Sequence, residues 1–180
     1  MTTTRVEKIG YCAHDSKQGD WAFELAKTLA QRLDLQLNVF SFLHDPYSRQ
    51  DPKGIESSPV GEEELVRRER ELRLRYDDAA GEFVNVGFKL CHDNGWAELH
   101  RCLCNREFQL LVLAKPSGDA YFLGKSIDAF AESFICPTIL VGPDGKDLVH
   151  ANHTAEMVRE QLRVPQESWA EIRTVARPEN

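Results

Sequence analysis

The sequence predicts an α/β protein, a parallel doubly wound sheet with helices on both faces. Three observations lead there. Short apolar runs alternate along the chain with segments whose apolar residues recur at helical spacing. One run, Leu110 to Ala114, is apolar throughout, as a parallel strand buried on both faces requires. A length of 180 residues suffices for one core of this kind.

The first strand is read over Arg5 to Cys12, RVEKIGYC. Trp21, Leu25, Leu29 and Leu33 then recur every four residues, which marks an amphipathic helix with Asp15 or Ser16 as N-cap. Leu35 to Leu43 is the second strand. The stretch HDPYSRQDPKGIESSPVG follows with three prolines, and its length suggests function or disorder. A charged helix from Glu62 to Ala80 carries Leu65, Leu72, Tyr76 and Ala79 on one side. Alternation of Val84, Val86, Phe88 and Leu90 marks the third strand, Phe83 to Leu90. The third helix, Gly95 to Arg106, is expected to turn Trp96, Leu99 and Leu103 inward. After the Leu110 to Ala114 strand and the loop KPSGDAYFLGKS, Ile127, Phe130, Ala131 and Phe134 form one stripe of a fourth helix. CPTILVG supplies strand five. Residues 1–142 therefore read as one α/β domain. Residues 143–180 read as a C-terminal extension, partly helical or disordered, with Trp169 a candidate anchor on a partner subunit.

Composition limits the function. A net charge of −7 disfavours a nucleic-acid partner, and the arginines of RRERELRLR are interleaved with Glu69 and Glu71 as on a solvated helix face. No stretch reaches the ~20 apolar residues of a membrane span, and MTTTRVEK lacks the apolar core of a secretory signal, so a cytoplasmic protein is expected. Five cysteines without a C-x-x-C pair read as buried reduced thiols.

His-Asp occurs three times, at His14, His44 and His92, against ~0.4 expected by chance from six histidines and twelve aspartates in 180 residues. All three follow the carboxyl ends of neighbouring strands, where such folds bind ligands, and imidazole backed by carboxylate suits a metal or a general base. Each aspartate also has a local role, Asp15 and Asp93 at helix starts and Asp45 before Pro46 in a turn. Coincidence of loop chemistry is the favoured reading, with a metal-dependent enzyme using His14, His44 and His92 as an alternative.

WAELHRCLCNREFQLLVLAKP, the YFLGKS turn and ICPTILV together resemble the universal stress protein family over about residues 5 to 142. The resemblance implies a Rossmann-like sheet of order 3-2-1-4-5 and a cytoplasmic stress-response homodimer paired through strand five. In one branch it also implies ATP bound by an Asp after strand one and by a Gly-x-x-Gly-(nine residues)-Gly-Ser/Thr loop. This chain departs from that pattern. His14 takes the Asp position, Ala114 takes the first glycine, only nine residues separate Ala114 from Gly124, and Lys125 precedes the displaced hydroxyl of Ser126. If nucleotide is bound, the resemblance places it on Ala13, His14, Phe42, Ala114, Gly124, Lys125 and Ser126, with the last two at the phosphates. Tyr121 and Phe122, in the shortened loop, are expected to plug the vacated space. The expectation is a non-catalytic regulatory protein with altered or lost nucleotide binding that works through dimerisation and a protein partner. An ATP sensor or slow ATP hydrolase is the alternative.

Overall fold

The computed structural model describes residues 5–48, 60–92, 95–145, 149–152, 156–163 and 169–171. In chain order the elements are β1 (Lys8–Cys12), α1 (Lys17–Leu33), β2 (Gln36–Phe42), α2 (Glu62–Ala80), β3 (Val86–Cys91), α3 (Gly95–Cys104), β4 (Leu110–Ala114), β5 (Tyr121–Phe122), β6 (Lys125–Ser126), α4 (Ile127–Ser133), β7 (Thr138–Val141), β8 (Val149–Asn152), α5 (Glu156–Leu162) and β9 (Trp169–Glu171). The strand order β3-β2-β1-β4-β7 is that expected, all parallel, and its direction reverses between β1 and β4. Such a switch point leaves a crevice beyond the carboxyl ends of the two strands.

Two cores flank the sheet. On one face Ile9, Tyr11, Val39 and Val112 meet Phe23 and Leu29 of α1 and Tyr76 of α2. On the other, Phe40, Leu111 and Leu113 meet Leu99 of α3 and Phe130 of α4. All five residues of β4 are buried, as a strand covered on both faces must be. The helix faces differ in detail from the periodic reading. α1 buries Ala22, Phe23, Ala26, Leu29 and Ala30, while Trp21, Leu25 and Leu33 sit half-exposed at its margin. The alanines bring the helix close to the sheet, and a larger stripe would hold it away. On α3 the inward face is Gly95, Glu98, Leu99 and Cys102. Trp96 is 37% exposed and packs edge-on against Phe130 and Phe134 at the rim.

The chain after residue 142 departs furthest from expectation. β8 runs antiparallel to β7, from Thr138↔Asn152 to Val141↔Val149, and β9 pairs parallel with β8. Strand five of the sequence reading, β7, is therefore interior, and the edge expected to form a dimer seam is occupied by the same chain. The reason is chemical. β7 is buried at all four residues and, paired with β4 alone, would leave the amide groups of its other side without partners, so the nearest chain able to pair with it completes the ladder. The expected helical segment of the extension is α5, whose Val158 and Leu162 join the α1 core. Gln161 accepts from the Val6 amide at 3.1 Å and donates to its carbonyl at 2.8 Å. No described helix is long and apolar enough to cross a membrane.

Candidate functional site

The site is built on the turn from β1 into α1. Ser16 takes the N-cap position, with extended backbone and a side chain accepting from the Gly19 amide at 2.9 Å. A Cβ at Gly19 would collide with the His14 carbonyl oxygen, so glycine is what allows the first turn of α1 to close over the end of β1. Below it, the buried Tyr11 hydroxyl donates to the Gly19 carbonyl at 2.9 Å, meets Tyr76 Oη at 3.2 Å and receives the His14 amide at 3.4 Å. These bonds fix the backbone that carries His14.

The imidazole is fixed as well, with Nδ1 at 2.7 Å from Ser16 Oγ. Burial lowers its pKa below the ordinary histidine value, against the opposing pull of the Asp45 and Asp15 carboxylates. A base whose pKa falls on folding adds stability that is complete above its unfolded value of about 6.5 and is lost as pH falls through the folded value. Thermal unfolding of the wild type should therefore drop in midpoint below about pH 6.5, and His14→Asn should drop less. Equal pH slopes for the two proteins would show that His14 titrates as freely folded as unfolded.

Tyr47 is the residue that sequence reasoning missed. Asp45 forms a turn in which its carboxylate accepts from the Tyr47 amide at 2.9 Å, and the Leu123 amide donates to the Pro46 carbonyl at 2.7 Å. This strap brings the Tyr47 ring 4.0 Å from His14 and 5.1 Å from Phe122, centroid to centroid. Tyr47 packs against both cores at once, which places it at the split between β1 and β4. Its hydroxyl is buried and makes no hydrogen bond of ordinary length and angle; burial raises its pKa well above the usual phenol value, the Cys12 thiol adds to the rise, and the nearby Ala114 backbone offsets it only in part. An orphaned buried hydroxyl costs roughly 1–3 kcal/mol. Tyr47→Phe should leave the protein as stable or more so, by about 1 kcal/mol in chemical denaturation. A loss of that size would mean that the hydroxyl has a partner. The only sequence cue was an aromatic residue directly after an Asp-Pro turn at a strand end.

Beside this plug lies an open groove of about 440 Å³ between the strand ends and α2. Ala13, His14 and Phe42, three of the expected nucleotide-binding residues, line it together with Arg68, Arg75 and Tyr76. The arginines are already engaged. Arg68 binds Glu64 and donates to the Leu43 carbonyl at 3.1 Å, while Arg75 reaches Asp15 at 3.1 Å and Asp20 at 3.8 Å. The groove is thus polar and close to charge-balanced.

The phosphate-side residues lie elsewhere. Ala114 is buried as the last residue of β4. Gly124 (φ 82°) and Leu123 (φ 49°) are the two central residues of a tight hairpin joining β5 to β6, in register Tyr121↔Ser126 and Phe122↔Lys125. Two consecutive positive φ values define the turn that matches the twist of a two-residue hairpin, and this is the work that Gly124 does. Lys125 lies 5.3 Å over the Trp96 ring and 3.5 Å from Ser133 Oγ, and Ser126 caps α4 by accepting from the Ala129 amide at 3.3 Å. Asp128 already sets a carboxylate in the first turn of α4, held by Lys115 at 2.8 and 3.0 Å. Phe122, expected as a plug, is fully buried against Phe130 at 4.6 Å, and Tyr121 is half-buried. Among the described residues no group of three or more histidine, cysteine or carboxylate side chains is placed to hold a metal. His92 is exposed and His44 half-buried; Asp93 lies outside the described residues.

No protein-family model matches the chain, and no curated protein matches it in sequence. Solved structures do. The universal stress protein UspA from Lactobacillus plantarum superposes with a TM-score of 0.53 at 16% identity, covering 78% of this chain and 100% of that one. A universal stress protein from Archaeoglobus fulgidus gives 0.52 at 12% identity, covering 76% and 98%. The chain has the universal stress protein fold. At these identities the likeness is one of architecture, and it leaves about a fifth of this chain unmatched. Within the universal stress protein fold, Tyr47 stands at the switch-point crevice and the hairpin with Gly124 stands where the resemblance expects a phosphate loop.

Proposed function

We propose that this chain is a divergent, non-catalytic regulatory protein of the universal stress protein kind that has lost nucleotide binding in the family's manner and works through contacts with other proteins. The observation that carries the reading is Tyr47, which fills the crevice between β1 and β4 from the protein's own chain, wedged between His14 and Phe122. Three further features support it. Ala114 has a Cβ where the nucleotide-binding pattern needs a glycine, Gly124 serves a hairpin, and Lys125 and Ser126 are engaged with Trp96 and α4. A filled crevice also argues against an ATP hydrolase, because among the described residues neither a phosphate cradle nor an unengaged cation is assembled beside His14. Contacts with a second copy, on this reading, do not use β7.

One observation favours a second reading, a ligand bound in an altered way. The groove under α2 gathers Ala13, His14 and Phe42 on one wall and has a volume of about 440 Å³, within the range of small-molecule sites. Calorimetric titration of chelator-treated protein with Mg-ATP separates the two. Absence of heat up to millimolar nucleotide is the expected result. Saturable micromolar binding would overturn the proposal in favour of a nucleotide sensor that uses the α2 groove.

A further inference from the structure

The two ends of the parallel sheet differ in charge. The crevice filled by Tyr47 lies beyond the carboxyl ends of β1 and β4. At their amino ends, a strand's length away, a second pocket of about 280 Å³ opens between the start of β1 and the turn that leads from α3 into β4. Arg5, Lys8 and Arg106 line it together with Glu7, Asn105 and Gln109. Three cations stand there with one carboxylate, a local excess of two positive charges in a chain whose net charge is −7.

The frame of the pocket is fixed by one side chain. Gln109 Oε1 accepts from the Glu7 amide at 3.0 Å and from the Lys8 amide at 2.8 Å, and Gln109 Nε2 donates to the Arg106 carbonyl at 3.4 Å. The Gln109 backbone amide also donates to the Lys8 carbonyl at 2.9 Å. Both walls are thereby tied together. On the far wall the Arg106 amide donates to the Leu103 carbonyl at 3.0 Å, and Arg106 has a φ of 57°. A glycine or an asparagine would take that left-handed position after a helix at lower conformational cost, yet the chain sets a guanidinium there.

These cations are not spent on the protein's own acids. Elsewhere Arg67 and Arg68 pair with Glu64, Arg75 with Asp15, Lys89 with Glu107 and Lys115 with Asp128. Among the described residues no carboxylate, Glu7 included, comes within ion-pairing distance of Arg5, Lys8 or Arg106. A concave surface lined by charge of one sign focuses the potential and concentrates the opposite ion. Two guanidinium forks beside an ammonium suit the oxygens of a phosphate group.

We propose that this pocket binds a small dianion through its phosphate group, as free phosphate or as a small phosphate monoester. Arg5 and Arg106 donate to the phosphate oxygens, Lys8 supplies a third positive charge, and the Asn105 carboxamide offers a neutral donor. Glu7 opposes the ligand and weakens its binding. The site shares no residue with the groove under α2, so it stands whether or not that groove takes a nucleotide.

The test follows the backbone amides of the isotope-labelled full-length protein by NMR during titration with inorganic phosphate at low ionic strength, against sodium chloride at matched ionic strength. The expected result is a set of saturable shifts at Lys8, Asn105, Arg106 and Gln109 that chloride does not reproduce and that high salt abolishes. Arg5→Gln combined with Arg106→Gln should weaken binding roughly tenfold, and Glu7→Gln should strengthen it about two- to threefold. Tighter binding of glycerophosphate than of phosphate assigns the pocket to a monoester, and the reverse order assigns it to the free ion. Shifts that match the chloride control, that rise without saturation, or that centre on His14 and Arg75 would overturn the proposal, as would full affinity in the double variant. The three substituted side chains are exposed, and the map of the wild type decides the question without any variant.

Discussion

A chain shortened to residues 1–142 should be both less stable and self-associating. Removing β8 uncovers the edge of β7, four residues buried on both faces whose amide groups would then lack partners. Such an edge recruits another strand, and the nearest source is a second copy. Removing α5 takes Val158 and Leu162 out of the α1 core, which by burial alone should lower stability by roughly 3–6 kcal/mol. The two bonds between Gln161 and Val6 go with it. Light scattering after size-exclusion chromatography and the denaturation midpoint check both halves. A shortened chain that elutes as the full-length protein does and keeps its midpoint would mean that β8 and α5 dock too weakly to matter.

Phe122→Ala is the point substitution with the largest expected effect at the site. Phe122 is fully buried, touches Phe130 at 4.6 Å and forms one wall of the slot that holds Tyr47. Truncating a buried phenylalanine costs about 3–5 kcal/mol, part of it from the cavity left behind. Here the cavity opens beside Tyr47, so the strap from Leu43 to Ser48 should loosen too. Urea denaturation gives the first effect, and faster amide hydrogen exchange at Leu123, which donates to Pro46, gives the second. A loss below about 1 kcal/mol would show that the hairpin is a surface ornament rather than part of the core.

Most of the parallel sheet was legible because its signals are local. The uniform run Leu110 to Ala114, the alternation through Phe88 and Leu90, and the stripe of Ile127, Phe130, Ala131 and Phe134 each state an environment within a few residues. The helix α2 was legible to its boundaries, though its inner face ends in Ala80 rather than Ala79, since 72, 76 and 80 continue the four-residue step. β8 was not legible. Four residues are too short for a periodic signal, and the helical stretch in the same tail dominated the reading of residues 143–180. What makes β8 a strand is the open edge of β7, a long-range cause.

The site divides in the same way. His14 could be located because it follows β1 directly, and Gly124 because it breaks a loop. Their jobs could not be read, since Gly124's depends on the pairing of Phe122 with Lys125, and His14's on how closely Tyr47 approaches. The position of Tyr47 is set by the Leu123 bond to Pro46 and by Arg68 reaching Leu43, contacts that join segments far apart in sequence. The three His-Asp pairs illustrate the converse. They share a rhythm in the sequence, while the folded chain sends His14 against Tyr47 and leaves His92 in solvent.

The tie between Val6 and Gln161 carries a consequence for how the molecule is made. β1 lies inside the sheet, yet its partner β4 begins about a hundred residues later, and the side chain that binds Val6 comes 155 residues after it. On a translating ribosome, therefore, the first strand emerges early and has β2 alone beside it in the sheet until β4 has left the exit tunnel, and the bond to Gln161 forms later still. Sequence-distant pairing of this kind slows folding and prolongs exposure of apolar edges. During that interval Ile9 and Tyr11 can already meet α1, whereas Cys12, on the face completed by α3, β4 and α4, stays uncovered and is a point at which a chaperone could hold the nascent chain.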